Sequence, residues 1–162
     1  MAKKNSGKYF IKNTADGTYT DVTTLHDGVN ILAVEGLDSR GKALNIFTQQ
    51  WIDSQIEDFL ITTLDTNGNP VVIRENVDIK VVFCVGQRYA DAAIDTQTVY
   101  DSFVDYMTNS DVWIASRYVG KQVHCVALEK VDPKTIKLHR GSNTYILGEL
   151  TLHTLEKPTS YT

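Results

Sequence analysis

The side chains of this 162-residue chain that could act on a substrate or hold an ion are four histidines, two cysteines and a scatter of acids. The histidines are His26, His124, His139 and His153. Three of them fall on strand-like runs in the last third, where His124 and His153 could be cross-strand neighbours. A zinc site needs further ligands at fixed geometry and a carboxylate behind the histidine ring. Nothing in the spacing supplies them, so solvent-facing or core-rim histidines are expected, and no metal. Cys84 and Cys125 each lie inside an apolar run, with no second cysteine at a zinc-ligand spacing. Buried free thiols in a reducing compartment are the expectation, while a disulfide between strands distant in sequence stays open at this point. Neither cysteine opens a helix, so neither thiolate is activated.

Asp53, Glu57 and Asp58 lie within six residues, and Asp91, Asp95, Asp101 and Asp105 accompany a helical pattern. Paired carboxylates perform acid–base chemistry when their surroundings push their pKa values apart. Asp101 and Asp105, however, fall opposite Phe103 and Met107 on a helix and read as a solvated face. There is no Gly-x-Ser-x-Gly elbow, and Gly141-Ser142 sits in a turn. Gly28, Gly36 and Gly41 are dispersed as turn glycines are, and none builds a phosphate-cradling loop. The aromatic residues read as spread along the chain rather than interleaved with Lys and Arg, which argues against a stacking platform for single-stranded nucleic acid. No catalytic residue, metal or cofactor is expected, and the chain reads as a non-enzyme.

The elements that would position any site follow from periodicity and turn chemistry. Hydrophobic residues make up 42% of the chain and charged residues 22%, which suits a soluble globular domain. The net charge of −4 gives no cationic footprint for nucleic acid or an anionic membrane. Met1-Ala2-Lys3-Lys4 leads into no apolar run, so no secretory signal is expected. No apolar run approaches the ~18 residues of a membrane span. Strands are expected at Tyr9–Ile11, Tyr19–Leu25, Val29–Val34, Val77–Val85, Trp113–Arg117, Val123–Val131, Thr135–His139 and Thr144–Leu155. Residues 43–63 carry both helical and strand-like spacings; two strands around an Asp53-Ser54-Gln55 turn are favoured. Val99, Tyr100, Phe103, Val104 and Met107 recur as on an amphipathic helix over about 95–108, with Asp95 or Thr96 able to cap it. Val99, Phe103 and Met107 are its expected core contacts. The pattern is α+β and mostly β: an antiparallel β-sandwich or barrel with one packed helix. Residues 1–8 read as a flexible N-terminus, 9–158 as one domain with loop extensions, and 159–162 as a tail. One helix covers one sheet face or plugs one end, leaving another face to meet a partner. The polar loops at Leu37–Lys42 and Asp65–Pro70 make Asp38, Arg40, Lys42, Thr66, Asn67 and Asn69 candidate subunit contacts.

The second half has a recognisable order. The strand Val77-Asp78-Ile79-Lys80-Val81-Val82-Phe83-Cys84-Val85 is followed by the helix Val99-Tyr100-Asp101-Ser102-Phe103-Val104-Asp105-Tyr106-Met107 and the strand Val112-Trp113-Ile114-Ala115-Ser116. Then come Val123-His124-Cys125-Val126-Ala127-Leu128, a proline break and Ile146-Leu147-Gly148-Glu149-Leu150-Thr151-Leu152-His153. This order resembles the tail-tube fold of bacteriophages, found in tube, distal-tail and neck-connector rings. The Asn-rich texture of Asp65-Thr66-Asn67-Gly68-Asn69-Pro70 is similar to tail proteins of phages and prophages of gut Bacteroidales. The resemblance implies a structural virion protein, assembled in the host cytoplasm into a closed ring of six or twelve copies. It implies contact with neighbouring tail or neck proteins, and DNA passing through the lumen without sequence-specific binding. No membrane is involved. The N-terminal half departs from the simple tube pattern, leaving the position along the tail open. The competing reading is a β-sandwich binding module presenting Trp51 or Trp113 to a glycan or peptide.

Overall fold

A computed structural model describes residues 6–38, 46–50, 56–60, 63–64, 66–68, 70–71, 76–127, 134–140 and 143–162. The chain divides into two compact units, one of residues 1–38 and 78–162, the other of residues 39–77. The first unit holds β1 (Tyr9–Lys12), β2 (Thr20–Asp21), the single-turn helix α1 (Val22–Leu25) and β3 (Val29–Glu35). The second unit contributes two antiparallel hairpins, β4 (Ile46–Gln50) with β5 (Ile56–Leu60), and β6 (Thr63–Leu64) with β7 (Pro70–Val71). The first unit resumes with β8 (Ile79–Gly86), α2 (Thr96–Thr108), β9 (Val112–Ser116) and β10 (Lys121–Val126). It finishes with β11 (Lys134–Arg140), β12 (Asn143–Thr154) and β13 (Thr159–Ser160). The fold is mostly antiparallel β with one main helix, as the sequence pattern implies.

The nine strands of the first unit form one sheet in the order β2-β1-β9-β10-β12-β8-β3, with β11 also on β12 and β13 on β10. Among the described residues the sheet does not close into a barrel. Register places the core. Ile11, Ile114 and Val123 line up across β1, β9 and β10, and Ile79, Val81, Phe83 and Val85 alternate inward along β8. α2 packs on that inner face through Tyr100, Phe103 and Met107. The Phe103 ring meets Phe83 edge-on at 4.7 Å, and Tyr100 stacks on Phe83 at 5.8 Å. Side chains of this size contribute about 1.5–3 kcal/mol each when buried, enough to hold a helix of this length against the sheet. Val99 is partly buried against the same core, and Asp101 and Asp105 are exposed.

Three expectations change in detail. The run Tyr19–Leu25 is a strand only at Thr20–Asp21, because the Asp21 carboxylate accepts hydrogen bonds from the Thr23 N–H and hydroxyl. That cap converts an alternating Thr/Val run into a helical turn. Asp95 occupies the cap position of α2, yet its carboxylate accepts from the Thr98 hydroxyl rather than from a backbone N–H. Leu37, within a loop read as polar, is 2% exposed and joins the core. The expected strand Val123–Val131 is present to Val126; residues 128–131 lie outside those described.

Candidate interaction surface

Among the described residues the histidines and cysteines make separate local contacts, while Asp53 lies outside those residues. His124 bonds Asp111 through Nε2 at 3.1 Å, and His153 bonds Asp78 through Nδ1 at 3.1 Å. The register sets His153 opposite Val126, two residues along β10 from His124, so the two histidines are diagonal rather than directly paired. His139 Nδ1 meets the Thr144 hydroxyl at 3.2 Å. His26 stands edge-on to Phe103 and Tyr106, and its Nε2 is buried without a hydrogen-bond partner. No group of three or more metal-ligating side chains comes together among the described residues. Cys84 and Cys125 are both free and buried. Burial pushes the Cys125 thiol up to about 12, and its sulfur donates to the Val112 carbonyl at 3.4 Å.

Two surfaces stand out, both on outward faces of the sheet. Across β1, β9 and β10 the row Lys12, Trp113, His124 is set by register. His124 stacks on Trp113 at 4.1 Å with an interplanar angle of 6°, and Lys12 lies 5.5 Å from the same indole. Lys12 also caps Tyr19 at 4.8 Å; Tyr19 meets Tyr161, Tyr161 meets Phe10, and Arg117 lies 4.7 Å over Phe10. The aromatics that read as spread in sequence are thus interleaved with cations, because cross-strand pairing joins residues about a hundred positions apart. Each contact is an internal one. The strands flanking Trp113 each place a side chain against its ring, which removes the free face a sugar would stack on. Tyr161 is held there by β13, whose Ser160 carbonyl accepts from Gln122 Nε2 at 2.8 Å.

The outward face of β3, β8, β12 and β11 is different. At one end Lys80 bridges Glu149 at 2.7 Å and Glu35 at 3.9 Å. Towards the other end the same face becomes more apolar, and an open groove of about 1060 Å³ is lined by Leu32, Cys84, Tyr89, Leu138, Tyr145 and Leu147 together with the polar Gln87, Arg88, His139 and Asn143. Leu32 is 43% exposed, Leu138 46% and Ile136 60%. β11 is bonded to β12 and to no other strand among those described. An edge with exposed aliphatic side chains is an adhesive surface unless something covers it.

Of the candidate contact residues, Asp38, Thr66 and Asn67 are exposed, while Arg40, Lys42 and Asn69 lie outside the described residues. Asp38 belongs to the first unit, and Thr66 and Asn67 to the turn between β6 and β7 in the second. Trp51 is also outside the described residues. Leu32, Arg88, Leu138 and Tyr145 were not singled out by sequence; the one available signal was the alternating aliphatic run Ile136-Lys137-Leu138 before a turn. No protein-family model matches the chain, and no curated protein matches it.

Proposed function

We propose that this chain is a structural subunit that acts by assembling copies of itself into a closed ring, in keeping with its resemblance to phage tail-tube proteins, and that it works in the virion tail rather than by catalysis. The observation that carries this reading is the open sheet: among the described residues β11 pairs on one edge only, and Ile136 and Leu138 stand exposed along the strand. A monomer that left such an edge uncovered would be prone to uncontrolled pairing; a subunit meant for a closed assembly would use it. Edge pairing around a rotation axis then joins the sheets of successive copies, and an end product without free edges is a ring.

The test is light scattering coupled to size-exclusion chromatography, followed by electron microscopy. The wild-type chain should form a defined oligomer with a ring outline. Replacing Ile136 and Leu138 together by lysine should give a folded monomer with unchanged circular dichroism, since charge on an edge strand blocks edge-to-edge pairing. A wild-type chain that stays monomeric at high concentration would return the question to the binding-module reading.

A further inference from the structure

We infer that the groove on the outward face of β8, β12 and β11 is a binding site for a small amphipathic carboxylate, an aliphatic chain ending in one acid group, with Arg88 holding the acid. The inference does not depend on the assembly reading. Register builds the floor. Gly86, Tyr145 and Leu138 form one row across the three strands, and Cys84, Leu147 and Ile136 form the next. Gly86 leaves a gap in the first row, and the Tyr145 ring leans into it: a Cβ at Gly86 would stand 2.6 Å from Tyr145 Cδ1. The ring therefore lies over β8, edge-on to Tyr89 at 6.4 Å. Leu32 on β3 and Leu138 on β11, both exposed, flank this floor. The groove of about 1060 Å³ is close to the top of the roughly 300–1,000 Å³ range of small-molecule sites.

The polar residues of the lining divide into those that close the groove and those free to meet a ligand. Gln87 closes it: its Nε2 donates to the Ala92 carbonyl at 2.8 Å and its Oε1 accepts from the Ile94 N–H at 2.9 Å, pinning the 3-10 turn Gln87–Tyr89. The Tyr89 hydroxyl is hydrogen-bonded with the Cys84 sulfur. His139 is tied to Thr144 through Nδ1 at 3.2 Å, which leaves Nε2. Arg88 and Asn143 are exposed and make no side-chain hydrogen bond or ion pair with another described residue. The Arg88 charge is felt at the Tyr89 hydroxyl, where it opposes the rise that burial gives the phenol's pKa, so the guanidinium stands by the floor. No Asp or Glu is among the described residues of the lining, and on the next row of this face Glu149 is held by Lys80 at 2.7 Å. A carboxylate takes two parallel N–H donors from one guanidinium, while an aliphatic body removes water from the floor. A phosphate, with nearly two charges, or a nucleic acid calls for more than this single cation. An alkylammonium would set like charge against Arg88, and a neutral hydrocarbon would leave the guanidinium without a counter-charge.

The test is isothermal titration calorimetry of the full chain with monomeric dodecanoate, with amide chemical shifts recorded on the same samples. Dodecanoate should bind saturably at one site and shift the amides of residues 32, 86–89, 138 and 145–147. Arg88→Glu and Leu32→Asp should each weaken binding about tenfold or more, and Arg88→Lys should retain part of it. Leu25→Asp, at an exposed leucine outside the groove, should bind like the wild type. Dodecylammonium should not compete, and unchanged amide shifts in α2 would show that the variants remain folded. Absence of saturable binding, shifts spread over other surfaces, or equal binding by Arg88→Glu or of the ammonium would each overturn the site. Light scattering on the same samples reports the rival occupant. If the chain self-associates, the two groove variants abolish that association and dodecanoate neither binds nor competes, a second copy fills the groove and the carboxylate site is overturned.

Discussion

His26 stands between the rings of Phe103 and Tyr106, at centroid distances of 5.4 and 5.2 Å, with a buried Nε2 that bonds nothing. Burial lowers its pKa below the ordinary 6.5, so below that pH the unfolded chain takes up the proton more readily than the native one. Its contribution to stability is therefore fully present above pH 6.5 and is lost as the pH falls through the folded-state value. Urea titrations at about pH 7.5 and pH 5 should show the wild type losing stability relative to His26→Leu on acidification. A gap between the two proteins that does not move with pH would contradict the assignment. Phe103, the ring His26 leans on, is fully buried against Phe83. Phe103→Ala should cost about 3 kcal/mol or more in a denaturant titration, and a loss under about 1 kcal/mol would place the helix contact elsewhere.

At the scale of elements, Asp21 is the residue on which the start of the sheet turns. Its carboxylate caps α1 through Thr23 and also accepts from the Gly7 N–H, tying the entry of β1 to the end of β2. Asp21→Ala should lower stability by about 1–2 kcal/mol, with Asp21→Asn recovering much of it, as read from thermal or urea midpoints. This same residue marks where the sequence could be read and where it could not. The strand β8 and the helix α2 were legible because periodicity is a property of neighbouring residues: Val77–Val85 begins alternating and ends fully apolar, and Val99, Phe103 and Met107 recur by helical turns. α1 was not, because one carboxylate outvoted the alternation of Tyr19–Leu25. The Lys12–Trp113–His124 row was invisible for another reason. Its members come from three strands, and only register puts them side by side. Leu32 was illegible as a surface residue because the run Val29-Asn30-Ile31-Leu32-Ala33-Val34 is apolar at positions on both faces, so its pattern does not say which aliphatic side chain faces out.

For the molecule as a whole, the second unit is an insertion between two strands that are already neighbours. β3 ends at Glu35 opposite Lys80 near the start of β8, so the two strands could be joined by a tight turn. A chain in which residues 39–77 are replaced by a short glycine-rich turn should keep the circular dichroism and cooperative unfolding of the first unit. Loss of cooperative unfolding would mean that the sheet depends on the inserted segment. The pairing of Tyr9 with Ser116 has a different consequence, one that concerns synthesis rather than the finished protein. On a ribosome adding on the order of 5–20 residues per second, β1 waits on the order of ten seconds before β9 emerges to pair with it. Throughout that interval Phe10 and Ile11 have only the two-residue strand β2 to pair with, and the other edge of β1 waits for β9. The demand for chaperone shielding therefore falls on the first strand made, and slowing elongation between β1 and β9 would lengthen the exposure rather than help the fold.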